Sequence, residues 1–360
     1  MAKQELYIDT FICANTPKGF FTLQDELMDK NLVYIVKGGP GTGKSTFLKK
    51  IAAAFKRNGF DTELIHCSSD PASLDGVFVP AASLALFDGT PPHTAEPPLP
   101  GAGGGIINLG DFWNEIFLKD SREQIINLNR EVNNCFGSAY SYLKAALIFK
   151  NFRADTAAKF TNHEKINKYA LSVSQKLFKA KKGKKGKMTK RFLTAINQNG
   201  IVTYVNTISS LANNLYMIND PYFYAAPILL DKLNGFAIEA GLDTFVSYSI
   251  WQPDKIEFLI IPEISLCFAS ASDSVKLKAA PYMSISINRF TDIVSLKAFN
   301  NRLKLYRKLE KNLVSNAVAE FKKSKELHDE LETYYIPSMN FKAVNEFEKN
   351  IETKLLSNVK

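Results

Sequence analysis

The strongest constraint on the fold is a glycine-rich stretch near the N-terminus that matches the phosphate-binding pattern G-x-x-x-x-G-K-[ST]. It consists of Gly38, Gly39, Pro40, Gly41, Thr42, Gly43, Lys44 and Ser45. The apolar run 32–36 before it is typical of a buried parallel strand, and residues 46–55 after it have helical apolar spacing that stops at Gly59. A strand, a phosphate loop and a helix in this order predict an α/β nucleotide-binding domain.

The chemistry of phosphate predicts a role for each position of this loop. The glycines let backbone N–H groups wrap the β-phosphate, Lys44 reaches the β- and γ-oxygens, and the Ser45 hydroxyl ligates Mg²⁺. Thr46 follows directly and is the last of the predicted nucleotide-binding positions. Its expected role is packing or helix capping. The sequence therefore predicts a site for ATP and Mg²⁺.

The chain also contains an internal repeat. A shift of 182 residues aligns 34–84 with 216–266 without a gap, and nine positions are identical where roughly three are expected by chance. We therefore predict an α/β protein of two tandem P-loop NTPase-like lobes, each a parallel sheet flanked by helices and ending in a helical hairpin. The predicted boundaries are 1–180 for the P-loop domain, 181–191 for a basic linker and 192–360 for the second repeat.

The second repeat lacks the residues that bind phosphate. Its counterparts of Gly38, Gly43, Lys44 and Ser45 are Asp220, Ala225, Ala226 and Pro227. An aspartate facing the phosphates would repel them, and without the lysine and the hydroxyl nothing offsets its charge. We expect the second lobe to be a catalytically inactive scaffold or a partner-binding lobe.

A second metal-binding position is predicted at the end of a buried run in repeat one. Residues 83–87 have the composition of a strand, and Asp88 ends it before a glycine. This aspartate resembles a Walker B residue, which would hold Mg²⁺ across from Ser45. The alternative is an ordinary Asp-Gly turn at a strand end.

The residue that activates the attacking group is predicted from position in the sheet. Asp70 follows the strand predicted at 63–67, at the carboxyl edge where α/β sheets bind ligands, and it ranks first as the base. Asp75 is retained as Glu257 in the second repeat. A helix-capping or structural role for Asp75 is therefore at least as well supported as a role as the base. His93 lies in a loop rich in Pro and Gly, which is either a lid over the site or a connector.

The distribution of positive charge separates the possible reaction classes. Residues 58–118 contain no Lys or Arg, which counts against a kinase whose acceptor carries a phosphate. A basic cluster occurs instead near the predicted linker, and it helps to give the chain its net charge of +9. Its members are Lys176, Lys179, Lys181, Lys182, Lys184, Lys185, Lys187, Lys190 and Arg191. The cluster is either a binding surface for a polyanion such as nucleic acid or a solvated hinge.

Composition bounds the remaining possibilities. No apolar run approaches the roughly 18 residues that span a bilayer, and the first residues lack the apolar core of a signal peptide. We therefore expect a cytoplasmic protein. The four cysteines are scattered without CxxC spacing, so neither a zinc site nor a disulfide framework is expected.

Six segments together resemble a bacterial family of two-repeat P-loop proteins labelled ATPase or nucleotide kinase. They are ANTPKGFF at 14–21, KGGPGTGKST at 37–46, IHCSSDPASLDG at 65–76, FDGTPPH at 87–93, INLGDFW at 107–113 and LHDELETYYIPSMNF at 327–341. The resemblance implies ATP binding but supplies no substrate. This chain departs from the pattern at 220–227, because proteins of that family often carry a second intact loop.

These observations favour a Mg-ATP-binding protein that hydrolyses ATP slowly in lobe one, as a switch controlled by lobe two or by a partner protein bound to lobe two or the helical hairpins. The first alternative is a kinase for a small molecule or nucleotide, acting on an uncharged or weakly charged hydroxyl with Asp70 as base. The second is an NTPase associated with nucleic acid through the basic cluster.

Overall fold

A computed structural model describes residues 8–179, 181, 183–271 and 280–359. Lys182 of the basic cluster lies outside the described residues. None of the helices in these ranges combines the length and the apolar character needed to cross a membrane.

The described part of the first half forms eight strands and five α-helices. The strands are β1 (Ile8–Thr10), β2 (Cys13–Thr16), β3 (Gly19–Thr22), β4 (Leu32–Lys37), β5 (Glu63–His66), β6 (Leu74–Val79), β7 (Leu84–Asp88) and β8 (Gly104–Asn108). The helices are α1 (Asp25–Met28), α2 (Lys44–Arg57), α3 (Glu115–Asp120), α4 (Arg122–Ala158) and α5 (His163–Leu177).

The described part of the second half repeats this order. Its strands are β9 (Met188–Arg191), β10 (Thr194–Asn197), β11 (Gly200–Thr203), β12 (Asn214–Asn219), β13 (Thr244–Tyr248), β14 (Ile256–Ile261), β15 (Leu266–Ala271) and β16 (Met283–Ser286). Its helices are α6 (Val205–Leu211), α7 (Ala225–Glu239), α8 (Ile293–Leu296), α9 (Asn300–Tyr335) and α10 (Phe341–Ser357).

Two six-stranded sheets have the same topology. The first has the order β1-β5-β6-β7-β4-β8, and the second has the corresponding order β9-β13-β14-β15-β12-β16. In each sheet three neighbouring pairs are parallel, and the two pairs that involve β6 or β14 are antiparallel. The sheets are therefore mainly parallel and flanked by helices, which confirms the predicted fold class of two P-loop NTPase-like lobes.

The chain divides into two compact units, each assembled from separate segments. Unit 1 comprises Met1–Cys13, Thr22–Ser138 and Ala319–Lys360, and unit 2 comprises Ala14–Phe21 and Ala139–Val318. Two of the unit boundaries fall within the long helices α4 and α9 and the other two within β2 and β3, whereas the repeat boundary in the sequence lies near β9. Each unit thus combines the sheet of one repeat with a helix that follows the other repeat.

The core of unit 1 forms between α2, the first sheet and α10. Phe47, Leu48 and Ile51 lie on one face of α2 and are at most 1% exposed. They pack with Val77 of β6 and with Val344 of α10 in one buried cluster. The apolar spacing of α2 therefore holds the first turn of this helix, and with it Lys44, against the carboxyl edge of β4.

The core of unit 2 has the same plan with different segments. Leu229, Leu230 and Leu233 of α7 are fully buried, and they pack with Ile166 and Ala170 of α5. The helix that closes unit 2 therefore comes from the sequence between the two repeats, whereas α10 at the end of the chain closes unit 1.

Candidate nucleotide site

The phosphate loop, residues 38–43, joins the end of β4 to the first residue of α2. The φ angles of Gly38, Gly41 and Gly43 are 150°, 65° and 94°, in the region that favours glycine. At Gly38 an added Cβ atom would also lie 2.6 Å from the Thr42 Oγ1 atom. The loop leads directly into the N-terminus of a 14-residue helix, where unpaired N–H groups and the helix dipole favour an anion.

Lys44 is held by the loop that precedes it. Its Nζ atom donates to the carbonyl oxygens of Gly38, at 2.8 Å, and Gly39, at 2.9 Å. The same atom lies 3.6 Å from the Oδ2 atom of Asp88, and both side chains are 13% exposed. Phosphate oxygens are stronger acceptors for an ammonium group than neutral carbonyls are, so they can replace the carbonyls. The predicted role of Lys44 as a phosphate ligand is compatible with this arrangement.

Asp88 is the last residue of β7, which pairs directly with β4. Its Oδ1 atom accepts hydrogen bonds from the backbone N–H of Thr90, at 2.8 Å, and from the Thr90 hydroxyl, at 2.6 Å. Its Oδ2 atom faces Lys44. One oxygen of Asp88 therefore forms the Asp-Gly turn and the other faces Lys44, and the role of Asp88 as a metal ligand stays a prediction.

Three further residues of the predicted nucleotide site, Ser45, Thr42 and Thr46, are neighbours of Lys44 in the sequence. The Oγ atom of Ser45 accepts a hydrogen bond of 2.9 Å from the backbone N–H of Leu74, which leaves its hydroxyl proton and a lone pair for a ligand. Thr42 is buried and donates to the carbonyl of Gly39 at 2.9 Å, so it stabilises the loop. Thr46 is exposed on the first turn of α2.

The oxygen atoms at this edge of the sheet suit a magnesium ion. Ser45 offers a hydroxyl group, and Asp88 and Asp75 offer carboxylates, which are the ligands that Mg²⁺ prefers. The Oδ2 atom of Asp75 is buried without a hydrogen-bond partner among the described residues, and the Nε2 atom of His93 lies 3.5 Å from it. Such an atom can accept a hydrogen bond from a metal-bound water. The residues present therefore fit Mg²⁺ held by Ser45 and Asp88.

The helix-capping alternative for Asp75 is wrong, because Asp75 is the second residue of strand β6. The alternative of a structural role stays open. Since β6 is antiparallel to β5 and β7, its first residues lie at the edge where those strands end. Burial raises the pKa of the Asp75 carboxyl, the charge of His93 opposes the rise, and the charge of Asp88 adds to it. Asp75 is thus a candidate for proton transfer beside the site.

Asp70 lies in the turn between β5 and β6 and already has several partners. Its carboxylate accepts hydrogen bonds from the Ser73 hydroxyl, at 3.0 Å, and from the backbone N–H of Ala72, at 3.3 Å. The Nζ atom of Lys325, on α9, lies 3.7 Å from the Asp70 Oδ2 atom. A role for Asp70 as the base stays a prediction, and it requires this ion pair to open.

His93 is brought to the carboxylates by contacts on both ring nitrogens. Its Nδ1 atom lies 3.2 Å from the Sγ atom of Cys13, and its Nε2 atom lies 3.5 Å from Asp75. The loop 89–103 that carries it is also held by Lys37, whose Nζ atom donates to two of its backbone carbonyl groups, at 3.0 and 2.8 Å. The catalytic role of His93 and the role of this loop as a lid stay predictions.

The end of α9 contacts the phosphate loop, which the sequence did not predict. A Cβ atom added to Gly39 would lie 2.8 Å from the Cε1 atom of Tyr335, and one added to Gly41 would lie 2.9 Å from the Cγ1 atom of Ile336. The ring of Trp113 lies 6.2 Å from that of Tyr335, measured between centroids. These residues are far apart in the sequence, so no local spacing indicates their contact.

In unit 2 the corresponding loop is filled by one of its own side chains. The carboxylate of Asp220 is 1% exposed and accepts hydrogen bonds from the backbone N–H groups of Tyr222, Tyr224 and Ala226, at 3.0, 2.8 and 2.9 Å. Phe223 has a φ angle of 53°, so the loop keeps the left-handed residue that glycine provides in unit 1. In an intact phosphate loop, backbone N–H groups of this kind bind phosphate.

Glu257, the counterpart of Asp75, is a buried carboxyl in unit 2. Burial raises its pKa from 4.5 to about 7, although a hydrogen bond with Thr194 and the charge of Lys150 lower it. The folded state therefore retains a proton that the unfolded chain has lost, and the stability of the protein falls as the pH rises from 4.5 to about 7.

Replacement of Glu257 by Gln is expected to remove this pH dependence. At about pH 8 the variant should be more stable than the wild type by up to about 3 kcal/mol, and at about pH 4 the two should be nearly equal. The free energy of unfolding, measured by denaturant titration across this range, tests the prediction. Glu263→Gln, an exposed control, should keep the wild-type slope, and the same slope in Glu257→Gln would contradict the prediction.

The described members of the basic cluster have mixed surroundings. Lys181 forms an ion pair with Glu263, and Lys185 forms one with Glu239 at 2.6 Å. Arg191 is 1% exposed and, with Lys190, belongs to the edge strand β9. The last four residues of the predicted linker are therefore part of the second sheet. Binding of a polyanion at this cluster stays a prediction.

Comparison with protein families matches residues 20–336 to the KAP family P-loop domain. The match includes the intact phosphate loop, the second lobe and the part of α9 that contacts the loop. No match was found among curated proteins or among solved structures. P-loop NTPases generally bind their nucleotide with Mg²⁺. The chain is therefore a nucleotide-binding P-loop protein, and it belongs to the KAP family of P-loop NTPases.

Proposed function

We propose that this protein is a slow regulatory ATPase in which unit 1 binds and hydrolyses Mg-ATP and unit 2 is a catalytically inactive scaffold. The contrast between the two loops carries the proposal. In unit 1 the loop holds Lys44 beside Asp88. In unit 2 the buried carboxylate of Asp220 accepts from the N–H groups of Tyr224 and Ala226, the counterparts of Thr42 and Lys44, and from that of Tyr222. One nucleotide site for each chain follows from this difference.

The residues of unit 1 divide the work of binding Mg-ATP. Lys44 exchanges its two carbonyl partners for the β- and γ-phosphate oxygens, and the loop N–H groups bind the β-phosphate. Ser45 and Asp88 would hold Mg²⁺, which when bound neutralises charge on the β- and γ-phosphates. In hydrolysis, water adds to the γ-phosphorus while the bond to the bridging oxygen breaks and its electron pair stays with ADP. The water proton passes to a nearby base or to solvent.

The surroundings of the candidate base support slow turnover. Asp70 is bound by Ser73 and lies close to the ammonium group of Lys325. Asp70 must exchange these contacts before its carboxylate can reach an attacking water, so a rearrangement precedes its use as a base and gives a regulator a step to control.

Binding stoichiometry and phosphate release test this function. We expect one ATP or ADP to bind for each chain in isothermal titration, and we expect slow phosphate release from Mg-ATP that stops when EDTA removes the metal. Asp220→Glu, which keeps the carboxylate of unit 2, serves as a control and should leave the stoichiometry at one. Two bound nucleotides for each wild-type chain, or release that continues in EDTA, would refute the proposal.

A further inference from the structure

One face of the last turns of α9 runs along the nucleotide site in unit 1. Lys325, His328, Glu332 and Tyr335 are three or four residues apart, so they share this face of the helix. Tyr335 contacts the loop at Gly39, as described above. At a rise of about 1.5 Å for each residue, the face from Lys325 to Tyr335 extends roughly 15 Å, enough to pass the whole loop.

One contact places the middle of this face beside the phosphate loop. The Cβ atom of Glu332 would lie 3.4 Å from a Cβ atom added to Gly41. The Nδ1 atom of His328 lies 3.8 Å from the Oε1 atom of Glu332. Burial lowers the pKa of His328, Glu332 opposes this, and the cations Lys325 and Lys44 add to the lowering. The face of α9 therefore shares an electrostatic environment with the phosphate loop.

Lys325 lies at the other end of this face from Tyr335, where it faces the turn between β5 and β6. It is paired with Asp329 on its own helix and with Asp70, at 3.7 Å. Asp70 is bonded to Ser73, and the next residue, Leu74, donates to the Ser45 hydroxyl. That hydroxyl is the predicted ligand of Mg²⁺, so a chain of contacts through Asp70, Ser73 and Leu74 links Lys325 to the predicted metal position.

The charges around the nucleotide site of unit 1 leave room for a further cation besides Lys44. Residues 58–118 supply no Lys or Arg to the site. Lys37, at the end of β4, is engaged by the carbonyl of Ala95 at 2.8 Å and by Glu96 at 3.1 Å. Charge on the transferring phosphoryl group is commonly stabilised by a second cation besides the loop lysine.

We propose that Lys325 is that second cation, and that it leaves Asp70 to bind the terminal phosphate of ATP. This inference rests on the proposed function and names a further residue of the same site. The move releases the Asp70 carboxylate at the moment when a base is needed, so ATP binding itself prepares hydrolysis. ADP lacks the terminal phosphate and leaves the Lys325–Asp70 pair closed.

Replacement of Lys325 by Gln tests this role, because glutamine keeps hydrogen-bond donors for Asp70 and Asp329 but removes the charge. We expect the affinity for ADP to stay within about twofold, the affinity for Mg-ATP to fall about tenfold, and phosphate release to fall about 10²-fold. Lys325→Arg should recover part of the activity. Lys322→Gln, at an exposed position of the same helix, should match the wild type.

Two outcomes would overturn the inference. Wild-type phosphate release by Lys325→Gln would show that the charge is not used. An equal fall in the affinities for ATP and ADP would show that Lys325 only supports the fold of the site. If the wild type shows no phosphate release that depends on Lys44, the proposed ATPase function fails. The ratio of the ATP and ADP affinities of Lys325→Gln would still decide whether Lys325 contacts the terminal phosphate.

Discussion

Replacement of Lys44 by Ala is expected to reduce phosphate release from Mg-ATP by about 10³-fold and to weaken the binding of ATP. The ammonium group is the cation that the loop itself places beside the phosphates, and it also balances Asp88 at 3.6 Å. Without it, Asp88 would face the triphosphate with less positive charge to offset its own. Both ground-state binding and transition-state stabilisation should therefore suffer.

The matched control is Lys49→Ala. Lys49 is exposed on the same helix, and its Nζ atom donates to the backbone carbonyl of Ala72 at 2.7 Å, outside the phosphate loop. We expect this variant to retain phosphate release within a few-fold of the wild type. Thermal melting of both variants separates loss of chemistry from loss of fold. Undiminished turnover in a folded Lys44→Ala protein would place hydrolysis outside unit 1.

The parts of the site that are adjacent in sequence could be predicted from the sequence. The phosphate loop follows β4 and precedes α2 within a short segment, so local spacing and the chemistry of glycine and lysine identify it. The internal repeat extended the prediction of a sheet flanked by helices to the second lobe. Asp88 was found in the same way, because it ends a strand whose apolar run could be recognised.

The parts that depend on strand direction or on distant segments could not be predicted. Asp75 reaches the site because β6 is antiparallel, and short apolar runs do not indicate direction. Lys325 and Tyr335 reach it because α9 returns to the first sheet from the far end of the chain. The spacing of their polar and aromatic side chains is also typical of an ordinary amphipathic helix. Only the tertiary structure distinguishes a helix that contacts a binding site from one that does not.

Replacement of Asp220 by Ala is expected to destabilise unit 2 by about 4 kcal/mol. Its carboxylate satisfies three backbone N–H groups, and a buried donor without a partner costs about 1–3 kcal/mol. Burial raises the pKa of Asp220, whereas the hydrogen bonds from the loop lower it, so removal of the charge returns part of this cost. The loss of these three hydrogen bonds should still outweigh the gain from removing the buried charge.

The two tryptophans make this loss measurable in one unit. Trp251 is 2% exposed and belongs to unit 2, whereas Trp113 belongs to unit 1. In a Trp113→Phe background, the fluorescence of Trp251 should report unfolding at a lower denaturant concentration for Asp220→Ala than for its parent. Asp292→Ala, which removes an exposed helix-capping carboxylate of unit 2, should have a smaller effect.

Inorganic phosphate then distinguishes a filled anion site from an ordinary turn. If Asp220 stands where a phosphate binds in an intact loop, its removal exposes N–H groups that inorganic phosphate can bind, and the anion should restore part of the stability of Asp220→Ala. The parent protein should gain little, because its own carboxylate already occupies these groups. Equal stabilisation of both proteins, or a loss no larger than that of Asp292→Ala, would mean that the loop of unit 2 no longer has the shape of an anion site. A restored response would mean that unit 2 keeps the conformation of a ligand-bound loop without binding a ligand, as a permanent scaffold requires.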